Sequence, residues 1–255
     1  MKAIRAIVPA AGKGSRLQKI SGDLPKAMFS VGNRPMLEYV LENISFIDDN
    51  NIYIVVGYGK EKILEHFGDR HHYVEQKEQL GTGHAVMECA KDFEGFDGNV
   101  LIAFGDMPLF RKEEMEAMCR QHEECNADCT LMTAENPSLQ MWARVVRDEN
   151  GRFARIVEGK DCTPEQLAIK ELFSGIMLFN SKSLFKILPK VGCANVQKEY
   201  YVTEVPELML KYDMKVETYF TKDGDDLRGI NTPEDLEACE QILSQRRARS
   251  SPLHP

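Results

Sequence analysis

The chain has 255 residues, 43% hydrophobic and 28% charged, a globular balance that predicts a packed core. A net charge of −8 argues against a nucleic-acid partner, which would need a basic face, but leaves room for a phosphate-binding enzyme with a few well-placed cations. No apolar stretch approaches the roughly 20 residues of a membrane-spanning helix, no signal-peptide pattern opens the chain, and the seven scattered cysteines contain no CxxC pair. Neither membrane insertion, a disulfide framework nor a zinc site is expected. The predicted setting is a reducing cytoplasm, with cysteines as small buried hydrophobes.

In chain order, the apolar run Ala3–Val8 predicts a first buried strand ending at Pro9, followed by a Gly-, Ser- and charge-rich loop over Ala10–Leu24. Pro35 opens a helix over Met36–Ile47, with Leu37, Val40, Leu41 and Ile44 at helical spacing. Strand Asn51–Val56, helix Glu61–Phe67, strand His72–Val74, helix Gly83–Lys91 and strand Asn99–Phe104 follow, and a further helix starts near Lys112. This alternation predicts an α/β fold with a Rossmann-like, doubly wound, mostly parallel mixed sheet. The second half reads differently. Strands are predicted at Ala127–Ala134, Ala143–Val146, Phe153–Val157 and Leu172–Phe179, with a turn at Glu149-Asn150-Gly151. Helices near Thr203–Lys211 and Pro233–Arg247 close the chain. The reading is one domain over residues 1–243, its nucleotide-binding half about 1–125 and its sugar-phosphate half about 126–230, with a flexible basic and Ser/Pro-rich tail from Ser244 to Pro255.

Four motifs carry chemistry. Ala10-Ala11-Gly12-Lys13-Gly14-Ser15-Arg16 follows the first strand, where glycines let successive N–H groups face one point and form an anion nest. It matches neither a dinucleotide fingerprint nor a P-loop, and a plain glycine turn is its alternative reading. Asp23-Leu24-Pro25-Lys26, whose lysine stands ten residues after Arg16, lets one loop bring two cations to a phosphate chain, which transfer at phosphorus requires. Glu78-Gln79-Leu80-Gly81-Thr82-Gly83-His84-Ala85 leads into a helix; its glycines could approach a flat base, and Gln76 or Gln79 could pair with a base edge. The alternative is that Thr82 simply caps the helix. Asp106, in Phe104-Gly105-Asp106-Met107-Pro108-Leu109, stands beyond a strand's carboxyl end, where a carboxylate can hold Mg²⁺ or cap the next helix. Asn231, in Gly229-Ile230-Asn231-Thr232-Pro233-Glu234-Asp235-Leu236, offers a second oxygen or serves a turn. Between them, Glu158 could accept hydrogen bonds from sugar hydroxyls, while Lys160 and Asp161 read as a surface ion pair.

In their order and spacing, AAGKGSR, DLPK, EQLGTGHA, GDMPL, RDENGR with IVEGKD, EYYVTE and GINTPEDL make residues 4–240 resemble the sugar-nucleotidyltransferase superfamily. Within it the chain resembles the bacterial N-acetylglucosamine-1-phosphate uridyltransferase domain, EQLGTGHA belonging to the uridine-binding subset. The resemblance implies Mg²⁺-dependent transfer between UTP and a sugar-1-phosphate in a single displacement, with no covalent intermediate. It implies that Ala10, Ala11, Gly12 and Gly14 cradle the triphosphate and that Arg16 and Lys26 bind its phosphates. Gln76, Gln79, Gly81 and Thr82 would hold uracil, Asp106 and Asn231 the Mg²⁺, Glu158 the sugar, and Tyr201 and Thr203 would lie near its phosphate. Two positions depart from the pattern. The family's Tyr-Gly-Arg is Trp142-Ala143-Arg144 here, and an asparagine that bonds the sugar is Phe173. The uridyl side therefore looks intact and the acceptor side altered, pointing to a sugar-1-phosphate with a more apolar edge. The related bifunctional enzymes continue into a trimerising β-helix acetyltransferase domain; this chain stops near its last helix, so acetyl transfer is not expected and the oligomeric state is open. The alternatives are a cytidylyl- or guanylyltransferase of the same superfamily, and a non-catalytic nucleotide-sugar-binding module on the same fold.

Overall fold

The computed structural model describes residues 2–17 and 22–250, so part of the expected loop Ala10–Leu24 lies outside the described residues. The strands are β1 (Ile4–Pro9), β2 (Ser30–Val31), β3 (Arg34–Pro35), β4 (Ile52–Val56), β5 (His72–Glu75), β6 (Asn99–Ile102), β7 (Cys129–Glu135), β8 (Arg144–Arg147), β9 (Phe153–Val157), β10 (Glu171–Asn180) and β11 (Val216–Phe220). The helices are α1 (Met36–Asn43), α2 (Lys60–Phe67), α3 (Thr82–Glu88), α4 (Lys112–Glu124), α5 (Pro164–Leu167), α6 (Ser181–Ile187), α7 (Val205–Lys211) and α8 (Pro233–Ser250). Both halves share one sheet, ordered β11-β7-β10-β6-β1-β4-β5, with the β8–β9 hairpin attached through β10. β10 runs antiparallel to β6 and β7, while β5, β4, β1, β6, β7 and β11 share one direction. The expected α/β, Rossmann-like, mostly parallel mixed sheet is what the chain forms.

The central strands alternate their apolar side chains between two covered faces, which is why they read as continuous hydrophobic runs. Ile7, Val55 and Ile102 pack against the face holding α3, α6 and α7. Ala6, Val8, Ile54 and Leu101 pack against the face holding α1, α2 and α4. The chain passes outward from β1 to β4 and β5, then returns to β6 on the other side of β1. That reversal opens a crevice beyond the carboxyl ends of β1 and β6, where ligands of open α/β sheets bind. The glycine loop leaves β1 at this crevice and Asp106 leaves β6 there.

Some expectations shift for local reasons. The hairpin β2–β3 turns on Gly32 and Asn33, both at positive φ (+55° and +69°), and was not anticipated. The 3₁₀ turn Val202–Glu204 precedes α7, so Thr203 stands before that helix. α6 was not expected; Asn180 caps it by accepting from the Ser183 N–H at 3.2 Å. β11 escaped because it is a half-exposed edge strand of mixed polarity. The expected tail from Ser244 is corrected over its first part. α8 continues to Ser250, because Arg246 donates to Asp223 at 2.9 Å, to Asp226 at 3.0 Å and to the Leu109 carbonyl, and Arg247 donates to the Tyr39 hydroxyl at 3.0 Å. Residues 251–255 lie outside the described residues. Among the described residues, no helix is long and apolar enough to cross a membrane.

Candidate active site

A cavity of about 830 Å³ opens at the crevice, and every residue given a binding or catalytic role from the sequence lines it except Gly14. Gly14 acts beneath it: at φ +66°, a Cβ there would meet the Lys26 Cβ at 3.0 Å, so the glycine lets the Lys26 segment cross the loop. The crossing is fixed by the Lys26 N–H donating to the Gly12 carbonyl at 3.0 Å. The N–H groups of Ala11 and Gly12 donate to nothing among the described residues, as an anion nest requires. Beside Gly12 a Cβ would meet nothing within 4 Å, so room stands over the loop. Arg16 lies exposed at the rim. Lys13 is turned aside, its ammonium 5.0 Å from the Tyr58 ring centroid.

Lys26, Asp106 and Asn231 meet at one point. The Lys26 ammonium contacts the Asp106 carboxylate and lies 2.8 Å from the Asn231 side-chain oxygen. Hydrogen bonds anchor the backbones of both Asp106 and Asn231. The Ile230 N–H donates to the Asp106 carbonyl at 3.0 Å, and the Asp235 carboxylate accepts the N–H groups of Asn231 and Thr232 at 3.0 Å each. Asp106 is therefore not a helix cap; α4 begins at Lys112 with no side-chain cap. A carboxylate and an amide oxygen are hard donors and fit Mg²⁺. No group of three or more His, Cys, Asp or Glu side chains gathers among the described residues, so an ion here would take its other ligands from phosphates and water, as Mg²⁺ commonly does.

The opposite wall is the Gln76–Thr82 loop. The Gln76 amide nitrogen donates to the Gly81 carbonyl at 3.0 Å, and since a carbonyl only accepts, the amide orientation is fixed. The same nitrogen lies 3.0 Å from His84 Nδ1, which must then be the acceptor; Nε2 carries the proton toward Glu88, 3.1 Å away. Gln76 thus offers its amide oxygen to the cavity. Gln79 is held by its own donation to the Gln76 carbonyl at 3.1 Å. Gly57, which the sequence did not single out, ends β4 where a Cβ would come within 2.9 Å of both Ala11 Cβ and Gln79 Nε2, so it joins the phosphate and base loops. Thr82 is not the helix cap. Its hydroxyl accepts the Val202 N–H at 3.1 Å, the Gly83 N–H donates to the Tyr200 carbonyl at 2.7 Å, and the Tyr200 N–H donates to the Leu80 carbonyl at 2.8 Å. At Gly81, with φ +110°, a Cβ would sit 2.6 Å from the Tyr200 carbonyl oxygen. Only glycine permits this seam between the base loop and the Tyr200–Glu204 segment.

That segment carries the far end of the cavity. The Thr203 hydroxyl donates to the Glu158 carboxylate at 2.9 Å. Burial pushes the Glu158 carboxyl above its usual range, the Thr203 donation partly opposes this, and Asp161 adds to it. The Tyr201 hydroxyl is buried without hydrogen-bond geometry to any partner, although Gln197 lies alongside, and burial raises it to about 12. Lys160 does not pair with Asp161 as the sequence suggested; it lines the cavity and donates to Gln197, while Asp161 accepts the Val196 N–H at 3.2 Å. Ala143 and Phe173 are both buried, with the Phe173 N–H donating to the Ala143 carbonyl at 3.0 Å. A bulge at Ser174–Ile176 breaks the β10–β7 register just after Phe173. Gly175, at φ +83°, is its pivot, where a Cβ would clash with Met107 and Phe104 at 2.8 Å. Leu139, Gln140 and Trp142 complete this wall. Leu139 and Gln140 escaped the sequence reading because nothing local distinguishes them; Arg144 holds this turn, donating to the carbonyls of Gln140, at 2.5 Å, and Trp142.

A family described as the MobA-like NTP transferase domain matches residues 6–186. The bifunctional protein GlmU of Staphylococcus carnosus is 37% identical over 241 residues, covering 94% of this chain and 52% of that protein. The GlmU of Acholeplasma laidlawii is 38% identical over 240 residues, covering 94% and 51%. The chain thus spans about half the length of the curated relatives it matches. A crystal structure of apo UDP-glucose pyrophosphorylase shares the fold with a TM-score of 0.78 at 16% identity, over 97% of this chain and 100% of that one.

Proposed function

The chain belongs to the MobA-like NTP transferase family, and from that premise we propose that it joins UTP to a sugar-1-phosphate, releasing pyrophosphate. The observation that carries the reading is a single cleft with three chemically distinct ends. A nest with Arg16 and Lys26 suits phosphates, the oriented Gln76 amide suits a base, and the Glu158–Thr203 pair suits sugar hydroxyls. The GlmU relatives are consistent with this, since the chain aligns with about half of each.

The base preference follows from hydrogen-bond chemistry. The amide oxygen of Gln76 accepts the N3–H of a uracil ring, whereas cytosine presents an acceptor at N3 and would leave two lone pairs facing each other. That favours UTP over the cytidylyl alternative. In the reaction, an oxygen of the sugar phosphate attacks the α-phosphorus; the new P–O bond forms as the bond to the α,β-bridging oxygen breaks, and pyrophosphate leaves with the electron pair. The attacking phosphate is already anionic, so no side chain need act as a base. Arg16 and Lys26 offset the charge that gathers on the non-bridging oxygens. Held by the hard donors of Asp106 and Asn231, Mg²⁺ would neutralise further phosphate charge. Glu158 accepts from sugar hydroxyls, with Thr203 fixing its carboxylate. Phe173 presents ring surface where the family pattern has an asparagine, and Ala143 adds a methyl where it has a glycine, which supports an acceptor with an apolar edge. The test is pyrophosphate release from UTP, CTP and GTP, each with a panel of sugar-1-phosphates. UTP-dependent turnover lost in Lys26→Ala is expected; no turnover with any pair would favour a non-catalytic module instead.

A further inference from the structure

We propose that Lys26 is the resident counter-cation of the Asp106–Asn231 pair, and that a divalent cation enters this pair only as the ammonium leaves it for a phosphate chain. The inference deepens the activity proposed above and rests on it for the identity of that chain. Three observations carry it. The Lys26 ammonium already sits where the two oxygens converge, touching Asp106 and 2.8 Å from Asn231. The backbones that carry the two oxygens are anchored, Asp106 by the Ile230 N–H and Asn231 by Asp235, so the two short side chains have little reach to serve cations at separate points. The lysine, by contrast, has a fixed root and a flexible stem. Its N–H is bonded to the Gly12 carbonyl and its Cβ packs under Gly14, within the same loop whose N–H groups form the nest. The ammonium can therefore pass between the oxygen pair and the nest by rotating its own side chain.

Charge decides the order of events. One carboxylate balances one ammonium; a divalent ion added beside it would face a like charge at near contact distance. A triphosphate removes the conflict, because it gives Lys26 another anionic partner and gives the ion its missing oxygens. Metal and nucleotide affinities are then reciprocally coupled. Free protein binds the ion poorly, and the ion arrives with the nucleotide.

Mn²⁺, which takes the same oxygen ligands, serves as the probe, its free concentration read by electron paramagnetic resonance. Wild type, Lys26→Met and Lys26→Arg are titrated without nucleotide, and wild type also with UTP. Removing the charge is expected to tighten Mn²⁺ binding by at least about tenfold, while arginine, keeping it, does not. UTP is expected to tighten uptake by the wild type by a comparable factor. Equal affinities for wild type and Lys26→Met overturn the inference. So does a wild type that holds Mn²⁺ as tightly without UTP as with it, a comparison that stands even if Lys26→Met fails to fold. Turnover with equal Mn²⁺ affinities would sink this inference and leave the proposed activity. Mn²⁺ binding relieved by Lys26→Met, without turnover on any sugar-1-phosphate, would do the reverse.

Discussion

Phe173→Asn tests the reading of the acceptor pocket. Phe173 is 3% exposed and packs in the cluster that contains Ala143. Truncating a buried aromatic costs about 3–5 kcal/mol, a large share of a total stability of about 5–15 kcal/mol. At about 2–4 °C per kcal/mol for a chain of this size, the melting temperature should fall by roughly 6–20 °C. Specificity should move the other way. A new side-chain hydrogen bond to an acetamido sugar is worth about 1–2 kcal/mol, so the kcat/KM for N-acetylglucosamine-1-phosphate, relative to the wild type's best acceptor, should rise about five- to thirtyfold. The ratio is the proper readout, because unfolded enzyme is lost equally from both reactions. The assay is initial-rate pyrophosphate release at 25 °C with each acceptor, beside a thermal melt. A lower melting temperature with an unchanged ratio would refute the claim that this ring sets acceptor choice.

Three further outcomes follow from single residues. Gln76→Ala removes the oriented amide oxygen and should lower kcat/KM for UTP by about ten- to hundredfold while leaving the slow CTP reaction nearly unchanged; parallel losses would show that Gln76 only supports the loop. Because burial raises the Glu158 carboxyl, the acidic limb of acceptor kcat/KM should lie above the ordinary glutamate range near 4.3, and Glu158→Gln should remove that limb. His122 is buried against the Thr130 hydroxyl at 2.8 Å, and burial lowers it from 6.5 to about 4. The folded state therefore disfavours the proton, and the stability His122 contributes is present above pH 6.5 and lost as pH falls toward 4. Urea midpoints of wild type and His122→Asn should converge across that window; a constant gap would contradict the assignment.

The parts of the site that follow a strand were legible in the sequence. The Ala10–Gly14 loop and Asp106 each leave a short apolar run, and in an open α/β sheet such positions face the crevice whatever the rest of the chain does. Gln76, Gly81 and Thr82 were legible as a loop entering a helix. Which residues meet was not. Lys26 and Asn231 are 205 positions apart, and Thr82 and the Val202 N–H are 120 apart. Thr82 looked like a helix cap because its real partner is tertiary. Lys160 looked like half of a surface ion pair because its neighbour Asp161 was visible and Gln197 was not. Phe173 was visible as a departure from a pattern, but its aim depends on a bulge at Gly175, and only the surrounding Phe104 and Met107 explain why a glycine stands there.

The end of α8 shows the same limit and yields a sharper test. A run of Arg and Ser with little apolar periodicity gave no reason to continue the predicted helix past Arg247 or to order the residues after Ser244. What continues it is a buried anion elsewhere. Asp226 is fully buried and takes hydrogen bonds from Arg111 at 2.8–3.2 Å, from Thr221 at 3.0 Å and from Arg246 at 3.0 Å. Arg246 also holds the Leu109 carbonyl, three residues beyond Asp106, while Asn231 precedes the start of α8. Ending the chain after Ser244 keeps Leu243 in its apolar cluster but removes one of the two guanidinium groups on Asp226. Arg111 still neutralises the carboxylate, so the loss should be about 1–3 kcal/mol rather than the larger cost of an unpaired buried charge, or roughly 2–12 °C in melting temperature. Arg246→Met should reproduce most of it. If residues 245–255 were a free tail, both changes would leave the melting temperature where it was, and the ion-pair account of this helix would fail.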